Sequence, residues 1–201
     1  MDLIIGLNGL LKLNIYCKMD KRKELKAGDI IGLSSENFLG KSIRKFMNLY
    51  KKVFKLEKSE QSINHIAVCI EIDGRRYITE ADKTVIIRPF ESTKYWKNTD
   101  NWIIIRDKRK FTEKQLGKMT DKAITMAGTI YQVSNFAAWS VYIFSFGLIN
   151  MLKKENEKTV YCSEYGAILD NEAHVGTWKE PNRVNPYDFL INENKIILYG
   201  D

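Results

Sequence analysis

Asn64-His65-Ile66-Ala67-Val68-Cys69-Ile70-Glu71-Ile72, Asp73-Gly74, Arg75-Arg76-Tyr77-Ile78-Thr79-Glu80-Ala81: two β-rich runs meet at a dipeptide that favours a two-residue type I′ turn. Counting outward from that turn sets a register in which Ile72 faces Arg75, Ala67 faces Glu80 and His65 faces Asp82. Side chains alternate along a strand, so His65, Ala67, Glu80 and Asp82 share one face. Ile66, Val68, Ile70 and Ile72 form an apolar stripe on the other, which is read as the core face. His65 and Glu80 are then diagonal neighbours with backbones roughly 7–8 Å apart, a gap that a glutamate and an imidazole span. Asp82, directly opposite His65, is the competing carboxylate. The small Ala67 leaves room for either contact. Cys69 shares the His65 face, but four residues along a strand is roughly 13 Å, so it is expected to be a small core or rim residue.

Working outward, residues 27–33 (A-G-D-I-I-G-L) read as a short strand after a Gly-Asp turn, and 84–88, 102–106 and 195–199 as further strands. A helix is expected over 111–127, with Thr112 as its cap and Gln115 in capping-box position. Residues 123–152 carry no charge, but Gln132, Ser134, Asn135, Ser140, Ser145 and Asn150 make the run polar for a bilayer span. It is read as a buried helix or a helix pair broken near Gly147. The class is α+β, an antiparallel sheet packed against helices.

Cys162 lies in T-V-Y-C-S-E-Y, residues 159–165, where a β-branched approach gives way to a short helical pattern. Free cysteines are most often packing groups. At a helix start, however, the dipole favours thiolate and unpaired N–H groups can hold an oxyanion. Glu164 suits the first turn of that helix, although its charge opposes the thiolate. A thiol, an imidazole and an orienting carboxylate are the parts of a cysteine hydrolase. The second histidine, His174, lies twelve residues after Cys162, beyond the cysteine helix, and is expected on the surface or in a loop.

At 201 residues and 44% apolar content the chain suits one folded domain. Residues 1–26 read as an N-terminal helical extension and 27–201 as the domain, with a basic helical insertion at about 35–61. Cys17, Cys69 and Cys162 lack paired spacing, which argues against a disulfide scaffold or a zinc site. With no Gly-rich phosphate loop and no ligand spacing, no metal or cofactor is expected. The formal charge of +7 is concentrated in 41–58, where seven Lys/Arg face one acid, with Ile43, Phe46, Met47, Tyr50, Val53 and Phe54 at helical spacings. That amphipathic helix is read first as a solvated helix covering the core, with an anionic substrate or peripheral membrane contact as the alternative; nucleic acid is disfavoured, because no groove-reading motif accompanies it. The apolar stretch 3–16 has Asp2 before it and the basic cluster 18–23 after it, the reverse of a secretory signal, so a cytoplasmic location is favoured, with membrane association open. Trp96, Trp102, Trp139 and Trp178 are read as core or rim residues.

The order A-G-D-I-I, N-H-I-A-V-C-I, Y-I-T-E-A, G-T-I-Y, Y-C-S-E-Y resembles the YiiX/YebB-like branch of the NlpC/p60 superfamily, over roughly residues 25–189. The resemblance implies a circularly permuted papain-like fold, an antiparallel sheet or partial barrel against helices, whose histidine strand precedes its cysteine helix. It implies Cys162 as nucleophile, His65 as general base and acid, and Glu80 as the orienting residue. Tyr131, Tyr161 and Ser163 would line the substrate or oxyanion site, and Gly28 and Asp29 would form a structural turn. In a non-permuted order His174 would be the rival base. Relatives often have serine where this chain has Asn64, and the cysteine helix here carries Gly166. The expected activity is hydrolysis or acyl transfer on a peptide amide, a fatty-acyl amide or a lipid ester. A different class stays open: a catalytically silent protein docking its basic helix on a membrane or acidic partner.

Overall fold

The Asp73-Gly74 turn has positive φ at both residues, 49° and 73°, as a type I′ turn requires. The hairpin it closes, β2 (His65–Ile72) and β3 (Arg75–Ala81), has the expected register, Ile72 opposite Arg75 and Ala67 opposite Glu80. In the computed structural model, residues 20–34, 63–98, 100–131 and 159–198 are described, with Lys45, Asn48, Leu49 and Lys52 as isolated helical positions. The rest of the basic stretch 41–58, the segment 3–16 and residues 132–152 of the uncharged run lie outside them. Among the described residues no helix is long and apolar enough to cross a membrane.

The other strands are β1 (Ile30–Leu33), β4 (Val85–Pro89), β5 (Trp102–Asp107), β6 (Ile130–Tyr131), β7 (Thr159–Val160) and β8 (Lys195–Leu198). Six of them form an antiparallel sheet in the order β4-β3-β2-β1-β5-β8, and β6 and β7 make a separate parallel pair. The β4 edge is joined at its start to the segment leading into β6: Val85 N–H donates to the Thr129 carbonyl, Gly128 N–H donates to the Val85 carbonyl, and Thr84 bridges Ile130. The helices are α1 (Lys21–Glu24), α2 (Lys94–Lys97), α3 (Glu113–Thr125), α4 (Cys162–Ala173) and α5 (Asp188–Ile191). Thr112 and Gln115 form the expected capping box on α3, a feature typically worth about 1 kcal/mol.

Ile66, Val68 and Ile70 on one sheet face pack with Met119 and Ala123 of α3 and with Tyr165, Ala167, Ile168 and Leu169 of α4. Each fully buried aliphatic side chain there contributes about 1.5–3 kcal/mol of transfer free energy. The reverse face departs from the sequence reading. Ala67, Cys69 and Ile78 form a second, smaller core with Leu25, Ile31, Phe90, Tyr95 and Trp102, flanked on that face by His65 and Glu80 at one end and by Glu71 and Arg76 at the other.

Residues 20–25 help close that second core. Lys21 is buried and donates to the Trp102 carbonyl at 2.7 Å, while Arg76 donates to the carbonyls of Arg22 and Leu25. Residues 20–25 are therefore packed against the sheet. The uncharged run also opens differently: α3 ends at Thr125, Gly128 turns the chain at φ 86°, and β6 follows where a continuous helix was expected. At the Gly28-Asp29 turn, a Cβ on Gly28 would meet the Phe111 ring at 2.6 Å, and Asp29 holds Arg106 through two contacts of 2.7 Å. That turn is structural.

Candidate active site

The parallel pair β6–β7 sets Tyr131 beside Val160 and delivers the chain directly into α4 at Cys162. Ten of the twelve α4 residues are buried, so this helix lies inside the protein and its polar members need partners. Glu164 Oε2 accepts the Tyr161 N–H at 3.3 Å, tightening the helix start. Gly166 allows close approach to the sheet, since a Cβ there would meet Ile66 Cγ2 at 2.8 Å. The glycine that weakens α4 as a helix thus seats the Cys162 end against β2.

The β2–β3 ladder stops at Ala67 opposite Glu80. Just past its end, the Ile66 N–H donates to the Cys162 sulfur, as does the N–H of Ser163. The His65 ring lies in the same place. Its Nε2 is 2.7 Å from Glu80 Oε2, and the ring also hydrogen-bonds with the Cys162 thiol, for which Nδ1 is the nitrogen left. The Tyr131 hydroxyl completes the set with a hydrogen bond to the same sulfur. Glu80 Oε2 further accepts from Tyr95 Oη at 2.6 Å and lies 3.3 Å from Lys94 Nζ.

The charges follow from these contacts. Burial alone would raise the Cys162 pKa, but the His65 imidazolium and the two backbone N–H groups bring it below the ordinary thiol value. Burial would lower the His65 pKa, yet the Cys162 thiolate and then Glu80 lift it from 6.5 to about 9. Glu80 is opposed by burial and held by His65, Lys94 and Tyr95 at about 2. Burial and the neighbouring sulfur push the Tyr131 phenol well above its ordinary range, so it remains an O–H donor. These shifts all run in the direction that favours charge on the Cys162 sulfur, a proton on His65 and an ionised Glu80. His65 retains 15% side-chain exposure, and Cys162 lies beneath it at 4%.

Not every candidate meets the thiol through its side chain. Tyr161 donates its hydroxyl to the Asn182 carbonyl at 2.6 Å and Ser163 donates to the Val184 carbonyl at 2.8 Å, tying α4 to the 3-10 turn Pro181–Arg183. Of Ser163, the backbone N–H is what faces the sulfur. The carboxylate meeting His65 is Glu80; Asp82 is exposed and uses its backbone N–H to pair with Thr84. His174 caps the far end of α4, stacked on Phe111 at 4.7 Å with Nδ1 on Gln115. Burial, then the Arg109 charge, lower its pKa. Tyr95 and Lys94 carry no signal in the sequence, because they sit on a helix of one turn that Thr93 opens.

No family model matches this chain, and no curated protein does. Among solved structures, the fold is similar to that of metalloprotein YiiX from Escherichia coli O157:H7, with a TM-score of 0.58, 14% identity, and coverage of 88% of this chain and 97% of that one. The likeness establishes a YiiX-like fold. Among the described residues no three His, Cys, Asp or Glu side chains converge as metal ligands, and the His65 ring is already engaged by Glu80 and Cys162. These residues do not fit a metal centre.

Proposed function

We propose that this protein is a cysteine hydrolase or acyltransferase of the permuted papain-like, NlpC/p60 type, using Cys162, His65 and Glu80. The observation that carries this reading is that one imidazole hydrogen-bonds both to a buried carboxylate and to a thiol at the first position of a helix. In the resting pair the His65 imidazolium holds the proton and Cys162 is thiolate. The sulfur attacks an amide or ester carbonyl and forms a tetrahedral intermediate. Its oxyanion is held by the Cys162 N–H, which has no acceptor within its own helix, and by the Tyr131 hydroxyl. His65 then gives its proton to the leaving amine or alcohol as the carbon–heteroatom bond breaks, leaving an acyl-thioester. Water or another acceptor attacks the thioester, with His65 taking its proton, and the thiolate is released with the acyl product. Glu80 stays ionised and orients the ring.

The basic residues of 41–58 favour an anionic or amphiphilic substrate, within the two classes of peptide amide and acylated lipid. Acyl-electrophile probes should label Cys162 in the native protein. Turnover on panels of stem-peptide amides, fatty-acyl amides and lipid esters should fall at least about 1,000-fold in Cys162→Ala. Equal turnover by Cys162→Ala on whichever substrate is cleaved would end the assignment.

A further inference from the structure

The carboxylate of Glu80 is reached from below by a side chain that the acyl-transfer scheme does not use. Tyr95 is fully buried on α2 and donates its hydroxyl to Oε2 at 2.6 Å, the same oxygen that meets His65 Nε2 at 2.7 Å. Tyr95 is itself fixed. Its carbonyl accepts from Trp102 Nε1 at 3.1 Å, and its ring meets the Trp102 indole edge to face at 6.2 Å. Trp102 is in turn held by Lys21, which donates to its carbonyl at 2.7 Å and lies over its ring at 5.6 Å. A continuous set of contacts therefore runs from α1 through β5 and α2 to the acid of the triad. Lys94, the preceding residue, approaches the same oxygen at 3.3 Å, but its side chain is 53% exposed.

We propose that Tyr95 is a positioning residue that fixes the Glu80 carboxylate so that Oε2 faces His65 Nε2. The inference rests on the triad reading above and deepens it. A glutamate has three side-chain torsions, and one hydrogen bond to a ring that must itself gain and lose a proton leaves them poorly determined. A second donor, rigid and buried, determines them. A phenol serves better than an ammonium because it brings no charge to compete with the imidazolium. The Tyr95 hydroxyl also keeps its proton in this site, where burial and Glu80 push its pKa well above 10.

The test is the titration of His65 by NMR in the full chain, read together with the pH dependence of Cys162 alkylation by iodoacetamide. In Tyr95→Phe, which keeps the ring and its packing, the His65 pKa should fall from about 9 by about one pH unit, a tenfold change in the protonation equilibrium. The acid limb of alkylation should move upward, and kcat should fall more than KM rises. Lys94→Ala should shift the His65 titration less, because its exposed charge is screened. A folded Tyr95→Phe protein with a lowered thermal midpoint and an unchanged His65 titration would make Tyr95 a packing residue only and overturn the proposal while leaving the triad intact. Wild-type His65 titrating near 6.5, with Cys162 no more reactive than an ordinary thiol, would instead overturn the triad and the proposal with it. Should the variant fail to fold, the wild-type hydroxyl proton of Tyr95 is the alternative readout. It should be protected from exchange and should shift as His65 titrates, and an unresponsive proton would refute the role.

Discussion

Helix α4 carries a buried ionic cluster at each end, and the two are built to opposite purposes. At its start, the contacts of Cys162 with His65, and of His65 with Glu80, favour charge on the sulfur, with the imidazole still touching solvent. Near its end, Asp170 shares the Lys195 ammonium with Asp107 at 2.8 and 2.9 Å, Arg109 meets Asp107 at 2.7 Å, and Trp178 Nε1 donates to Asp170 at 2.7 Å. In this second cluster every charge is matched and no nucleophile is present. The lesson is that burial and ionic pairing do not by themselves mark a reactive site. What marks one is a titratable nucleophile whose partner holds a proton that can be passed on. The two histidines make the same point: His65 is raised to about 9 by anionic neighbours, whereas His174, stacked on Phe111 near Arg109, is lowered.

Breaking the far cluster should have the largest effect on stability. Lys195→Met leaves the buried Asp170 carboxylate without a cation, while Asp107 keeps Arg109, and should lower unfolding free energy by about 3–5 kcal/mol, measured by urea titration. Cys162 reactivity per folded molecule should be nearly unchanged at a permissive temperature. Breaking the near cluster should do the reverse. Glu80→Gln keeps an acceptor for His65 but removes the charge, so kcat should fall about 100-fold, equivalent to about 2.7 kcal/mol of transition-state stabilisation. The His65 pKa should also drop in that variant.

A third change tests whether the clusters communicate through α4. Gly166→Ala brings a methyl against Ile66 and should cost about 1–3 kcal/mol, measured by thermal unfolding, while displacing the Cys162 end and slowing alkylation. An effect on stability without an effect on alkylation would show that the helix start is held by the 3-10 turn contacts of Tyr161 and Ser163 instead.

The pH dependence of stability separates the groups as well. The folded pKa of His65 is raised, so its contribution is present in full below 6.5 and is lost as pH rises through about 9. That of Glu80 is lowered, so its contribution is present above 4.5 and is lost as pH falls toward about 2.

Much of the near cluster is legible in sequence because its geometry is local. A two-residue turn fixes the hairpin register, and alternation then places His65 diagonal to Glu80 before any packing is known. The α3 capping box is legible for the same reason. Cys162 at a helix start is visible as a pattern, but its meeting with His65 depends on α4 crossing β2 at Gly166, a close approach that no periodicity encodes. The far cluster is invisible: Asp107 and Lys195 are 88 residues apart, and charged residues ordinarily read as surface. Tyr95 is hidden likewise, because α2 is one turn long and too short for a periodic signal. The covering of the second sheet face by α1 and α2 is hidden in the same way, because each is a single turn of four residues.

The central claim is that Cys162 is a thiolate maintained by His65. The most direct test is the rate of iodoacetamide alkylation of each cysteine in the native protein across pH, in wild type and His65→Ala. The account predicts that Cys162 reacts faster than Cys17 and Cys69 at neutral pH. It also predicts an acid limb below the ordinary thiol range that moves upward when His65 is removed. A native Cys162 that reacts no faster than the other two cysteines, with a pH profile indifferent to His65, would contradict it.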